Sequence, residues 1–230
     1  MIVPAVWALL LAATAGFAAG NPPLVWFSPL VPGNWPDGRA GQVDYLDLFN
    51  PAAPWASAAS RVQVFKIVPI FTDTPGALTD SQWRQVFADL DRRGIALAMD
   101  WGPLSSMTCG RNVEGFTGSQ SLAKAQKIKS LGGNLRYLAM DEPFYYANIY
   151  SGPDACRWTP KQIAVNAVQN LAQIRSVFPN VVVGDEEPTP ALGVPDWVQR
   201  YAAWLDAWKE AAGVPLAFFH FDVDYPASPN

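Results

Sequence analysis

Six short runs of almost unbroken apolar residues set the first constraint on how this chain folds. They are Leu24 to Leu30, Val62 to Phe71, Ile95 to Asp100, Leu135 to Asp141, Val181 to Asp185 and Leu216 to Asp224. Each is of strand length and rich in Val, Ile, Leu and Phe. None shows the clean alternation of a sheet with one wet face, so they read as parallel strands covered on both sides. Their starts lie 38, 33, 40, 46 and 35 residues apart, close to the length of one repeating strand and helix unit.

The segments between the runs carry helix ends. Thr79 with Gln82 forms a capping box, Trp83, Val86, Phe87 and Leu90 make one apolar face, and Gly94 stops the helix. Thr159 caps a second helix with Pro160 in its first turn, and a stripe from Ile163 to Phe178 runs until Pro179. Weaker patterns span Ser119 to Leu131 and Asp196 to Ala212. The first connection, Val31 to Arg61, is irregular, with short helical pieces around Tyr45 and Ala58.

Two α/β architectures accommodate such units, a doubly wound open sheet and a (β/α)8 barrel. The dinucleotide fingerprint and the phosphate loop are both absent. Four consecutive runs end in carboxylates: Asp100, then Asp141-Glu142, then Asp185-Glu186-Glu187, then Asp222 and Asp224. An open sheet gathers ligands at one switch point, whereas a barrel brings all its strand ends to one mouth. The expected fold is therefore a TIM-type (β/α) barrel. Only six of the eight strands that close such a barrel are visible, so the expectation is an incomplete barrel, truncated from a longer ancestral chain, whose first and sixth strands do not pair.

Residues 1–20 carry no charge and read as a secretory signal, or as an anchor if retained, which leaves 21–230 as the barrel domain. In an exported chain the only two cysteines, Cys109 and Cys156, are expected to form a disulfide, since each lies in a turn-rich stretch. The net charge of −4, with no block of Lys or Arg, argues against nucleic acid and against an anionic polymer as partner. No membrane partner is expected beyond the leader. Nothing in the chain calls for a cofactor or a metal, because one His, no G-x-S-x-G and no Cys-x-x-Cys leave serine-hydrolase and zinc chemistry without material.

The fourth run ends in Leu138-Ala139-Met140-Asp141-Glu142-Pro143. Here the chain resembles the retaining glycoside hydrolases built on (β/α)8 barrels, whose fourth strand ends in Asn-Glu-Pro with the Glu as acid/base catalyst. The resemblance implies that Glu142 has that role and that the ligand is a neutral poly- or oligosaccharide. Position 141 carries Asp where that family carries Asn, and the family's nucleophile sits on a seventh strand. A substitute would come from Glu186, Glu187 or Asp222. Val183-Gly184-Asp185-Glu186-Glu187-Pro188 echoes the fourth-strand motif and leaves Glu186 and Glu187 both open.

The residues themselves also point to Glu142. Glycoside cleavage needs one protonated and one ionised carboxyl, and crowded carboxylates raise one another's pKa. The competing account of Glu142 is a strand-end carboxylate capping a turn. Substrate contacts are expected from Asp100, Asp141, His220, Asp222 and Asp224, with His220, Asp222 and Asp224 sharing one face by the period of two. Sugars stack on rings, which adds Trp26, Trp101 and Tyr145, the last within an aromatic stretch from Phe144 to Tyr150. The rival expectation is a noncatalytic carbohydrate-binding barrel, or an inactive fragment, that keeps the mouth but lacks the nucleophile.

Overall fold

The computed structural model describes residues 23–32, 44–50, 52–69, 77–188 and 194–223. The leader, Asp224 and the end of the second apolar run lie outside the described residues. Six strands appear among those described: β1 (Trp26–Phe27), β2 (Val64–Ile67), β3 (Ala96–Trp101), β4 (Leu135–Asp141), β5 (Val182–Pro188) and β6 (Phe219–Asp222). Between them run α1 (Ala56–Ala59), α2 (Asp80–Arg93), α3 (Ser121–Ser130), α4 (Pro160–Arg175) and α5 (Trp197–Ala212). The expected capping box forms at Thr79, and Thr159, expected as a helix cap, forms a second one with Gln162. The fifth strand outruns its apolar segment, extending through three acidic residues to Pro188.

All pairings are parallel and the strands lie in chain order from β1 to β6. Chain order belongs to a barrel, because a doubly wound sheet reverses direction at its switch point. Side chains prove the curl. Strands β1 and β6 are five positions apart, about 24 Å in a flat sheet, yet the rings of Trp26 and His220 have centroids 4.6 Å apart. Trp26 also meets Tyr137 of β4 at 5.3 Å and Phe218, just before β6, at 4.8 Å. The structure is thus a curled part of a TIM-type α/β barrel. Among the described residues β1 and β6 do not pair with each other.

Strand alternation sorts the side chains into two sets. Outward go Phe65, Met99, Trp101, Met140 and Val183, which pack in the main hydrophobic core with Trp83, Ile128, Leu171 and Trp204 from the helices. Inward go Trp26, Tyr137 and Phe218, and further along the strands a polar set described below. Ala98, Ala139 and Gly184 keep the middle of the interior small. A Cβ on Gly184 would stand 2.3 Å from the Phe218 ring, so the glycine is what admits that ring.

The loops after β3 and β4 are joined by the disulfide Cys109–Cys156, with 5.2 Å between Cα atoms. A backbone bond from Gly110 N–H to Asp154 O reinforces the link. By loop closure, such a bridge stabilises by roughly 4 kcal/mol.

Two outcomes are expected from this architecture. Alkylation without reductant, read by mass spectrometry, should modify neither cysteine; labelling of both would contradict the bridge. Gly184→Ala should lower the urea-unfolding free energy by about 1–3 kcal/mol through overpacking against Phe218, and an unchanged midpoint would mean that the interior is looser than described.

Candidate active site

The polar end of the interior is organised around Lys66. Its ammonium donates to both oxygens of Glu186, at 2.8 Å and 2.6 Å, and lies 3.7 Å from Asp100 Oδ2. The two paired side chains are only 9% and 17% exposed. Burial works against the charged ammonium, but Asp100, Glu186 and Asp141 outweigh it and raise its pKa. Glu186 shows the complementary balance: burial would raise it, but His220 and Lys66 hold it below the ordinary carboxylate range. His220 Nδ1 stands 3.6 Å from Glu186 Oε2.

Its neighbours go the other way. Burial pushes Asp100 up to about 6, with Lys66 opposing and Glu186 adding to the rise. Burial and the charges of Asp100, Glu114, Glu142 and Glu186 raise Asp141 well above its usual value. Lys124, reaching in from α3, is lowered by burial although Asp100 and Asp141 oppose that.

Glu142 follows β4, and by alternation it would face away from Asp141 and the interior. Its backbone instead takes a left-handed conformation, φ 48°, which breaks the period of two. Its N–H still bonds to the Glu186 carbonyl at 2.9 Å, while its carboxyl makes a hydrogen bond with Asp222 of β6. The kink is what brings Glu142 into the mouth. A non-glycine residue held in this region costs about 1–3 kcal/mol and persists only where its surroundings enforce it. Gly115 leaves room for the chain here, since a Cβ there would lie 2.9 Å from the Asp141 carbonyl oxygen. Glu142 is buried. Burial first, then Glu114, Asp222 and Glu186, push its carboxyl up to about 8. Tyr146, raised by burial and by its hydrogen bond to Glu114, completes this side.

The structure separates the two fifth-strand candidates. Glu186 faces inward. Glu187 faces the helical layer, fully buried, and accepts the backbone N–H of Phe144 at 2.8 Å and of Tyr145 at 3.0 Å. It thereby anchors the turn that follows Glu142. Asp185, also outward, accepts the Tyr201 hydroxyl at 2.8 Å and the Trp204 indole N–H at 2.7 Å, fastening α5 to the sheet. Burial pushes its carboxyl up to about 7 against those two donors.

Asp100, Asp141, Glu142, Glu186, His220, Asp222 and Trp26 are thus brought together. Trp101 is not: it points outward and donates its indole N–H to Ser121 Oγ of α3 at 2.9 Å. Tyr145 packs on Tyr146 at 5.0 Å beside the mouth. Sequence reasoning passed over Lys66, Lys124 and Glu114. Lys66 had a signal, as the single charge inside an apolar strand; Lys124 and Glu114 look like ordinary surface charges. Among the described residues no group of three or more His, Cys, Asp or Glu side chains is arranged to hold a metal ion.

No protein-family model matches the chain, and no curated protein matches it in sequence. Solved structures resemble it in shape. The family 53 glycoside hydrolase catalytic domain of Ignisphaera aggregans is 8% identical with a TM-score of 0.48, over 84% of this chain and 54% of that one. A fungal β-1,4-galactanase is 12% identical with a TM-score of 0.45, over 85% and 58%. The arginine decarboxylase of Paramecium bursaria Chlorella virus is 8% identical with a TM-score of 0.44, over 79% and 43%. The chain spans about half the length of these structures. Resemblance this distant carries over neither a reaction nor a residue, so the chemistry is argued from this chain's own side chains.

The shifted carboxyls make a pH dependence. Folded, Asp100, Asp185 and Glu142 hold their protons to about pH 6, 7 and 8; unfolded, they release them near pH 4. Asp141 and Glu187 shift in the same direction. Between those limits the folded chain binds more protons, so stability falls as pH rises. Glu186, shifted down, adds stability that is already in place across this window and is lost only as pH falls through its lowered value. The melting midpoint should drop by roughly 10 °C or more from pH 5 to pH 8, since Asp100 and Asp185 alone span about three pKa units of that window, about 4 kcal/mol, and each kcal/mol moves the midpoint by about 2–4 °C in a chain this long. A midpoint that is flat or rises over that range would contradict the protonated buried carboxyls.

Proposed function

We propose that the mouth is a carbohydrate site of glycoside hydrolase type, with Glu142 as the proton donor to the leaving oxygen and Glu186 as the ionised partner that attacks or activates water. The observation that carries this reading is the contrast in partners: Glu142, buried, shares a hydrogen bond with another carboxyl, Asp222, and is pushed up to about 8, whereas Glu186 accepts from the Lys66 ammonium on both oxygens and is held down. Two carboxyls whose surroundings drive their proton affinities apart are what acid and base roles at neutral pH require. Trp26 and Tyr145 offer ring faces beside the polar set, suited to the apolar C–H faces of a neutral sugar. The substrate-contact roles of Asp100, Asp141, His220 and Asp222 belong to the same proposal. Glu187 and Trp101, on the helical side of the sheet, stay outside it.

A second reading is favoured by one observation. Both Glu186 oxygens are engaged by Lys66, which weakens this carboxylate as a nucleophile and suits a barrel that binds sugar without cleaving it. Export of the protein is proposed with either reading; the disulfide supports it, and among the described residues no helix is long and apolar enough to cross a membrane.

The test uses neutral oligosaccharides and their 4-nitrophenyl glycosides as paired probes. Nitrophenolate leaves without a proton, so Glu142→Gln should lower kcat/KM on oligosaccharides by about 100-fold or more and on the nitrophenyl series by much less. Equal losses on both series would remove Glu142 from the acid role. Calorimetric binding of oligosaccharides by a wild-type protein that hydrolyses neither series would establish the binding reading instead.

A further inference from the structure

The arrangement around Lys66 reaches further than the pair it forms. The charged and titratable groups facing it come from four neighbouring elements: Asp100 from β3, Asp141 from β4, Glu186 from β5, and His220 of β6 on the far side of Glu186. Lys124 of α3 faces Asp100 and Asp141 from the other direction. Three carboxyls therefore share two ammoniums in a space largely closed to water. Not all three can be charged cheaply, since a buried charge is tolerated only when paired and hydrogen-bonded. Geometry breaks the tie: Glu186 has both oxygens within 2.8 Å of the Lys66 ammonium, whereas Asp100 has one oxygen at 3.7 Å and its other oxygen, buried, has no hydrogen-bond partner among the described residues.

We propose that Lys66 is the positioning residue of this mouth: reaching across the interior from β2, it selects Glu186, over Asp100 and Asp141, as the carboxylate that carries the charge opposite Glu142. The proposal rests on the reading of Glu142 and Glu186 as acid and ionised partner, but its consequence is about protons and is visible without a sugar. With the ammonium removed, His220 is the one side-chain donor left beside Glu186 among the described residues, and the neutral acid becomes easier to form.

The experiment follows the two carboxyls directly. Full-length protein carrying 13C at the glutamate carboxyl carbon is titrated by NMR, with the resonances assigned through Glu142→Gln and Glu186→Gln. In Lys66→Met the proton affinity of Glu186 should rise at least tenfold, a shift of one pKa unit or more. Lys66→Arg, which keeps the charge, should return it to within threefold of wild type. A folded Lys66→Met in which Glu186 titrates as before overturns the proposal, as does an Lys66→Arg that behaves like Lys66→Met. Should Lys66→Met fail to fold, the wild type decides: the 15Nζ resonance of Lys66 should move as Glu186 takes up its proton at low pH, and a resonance that stays fixed through that titration overturns the assignment. Because no sugar takes part, a protein that fails to hydrolyse glycosides but passes this titration refutes the glycosidase reading alone.

Discussion

An ammonium and a carboxylate that meet inside a protein must find each other, because either one left alone is among the costliest things a core can hold. Breaking a buried pair by deleting one member typically costs about 3–5 kcal/mol. Lys66 and Glu186 are such a pair, and their meeting depends on the rest of the architecture. It needs the sheet to curl, so that β2 and β5 face each other across an interior. It needs small residues on the inward face of the neighbouring strands, which Ala98, beside Lys66 in register, and Ala139 and Gly184 supply. Curl, small residues and charge are therefore one constraint expressed three ways.

The alternation of a strand then decides what each acid does. Asp185, Glu186 and Glu187 are consecutive in sequence and chemically near-identical, yet they serve three ends. Asp185 ties down a helix, Glu186 faces Lys66, and Glu187 holds the turn beyond Glu142 by its backbone amides. The outer pair keep the scaffold in place, and the inner one takes part in the polar mouth. Glu142 is the exception that needs a device of its own, a left-handed residue, to leave the face that alternation assigns to it.

That contrast also explains how much could be read in advance. Strand positions, helix caps and the parallel order were legible because hydrophobic runs, capping boxes and spacing are local signals. The meeting of Asp100, Asp141, Glu186 and Asp222 at one mouth was legible because barrel topology brings strand ends together, although Asp185 and Glu187 turn outward. The choice between Glu186 and Glu187 was not, since a motif aligned on Pro and one aligned on Asp-Glu differ by one residue, and one residue is the difference between the two faces of a strand. Trp101 was misjudged for the same reason: it neighbours Asp100 in sequence and stands on the opposite face. Lys66 was passed over because a single lysine in a strand is usually surface-facing, and only the curl supplies its carboxylate from 120 residues away. Glu114 and Lys124 reach the mouth from a loop and a helix, where no periodicity marks them.

The disulfide has one more consequence, which lies in the topology of the covalent chain. Cys109 and Cys156 close a ring of chain that contains Glu114, Lys124, Asp141, Glu142 and Tyr146. A single peptide-bond cleavage anywhere inside that ring leaves the protein in one covalent piece, with β4 still attached through the side of the ring that was not cut. Most of the loop after β3 and the loop after β4 can thus be nicked without being shed, a useful property for segments that cover an acidic site.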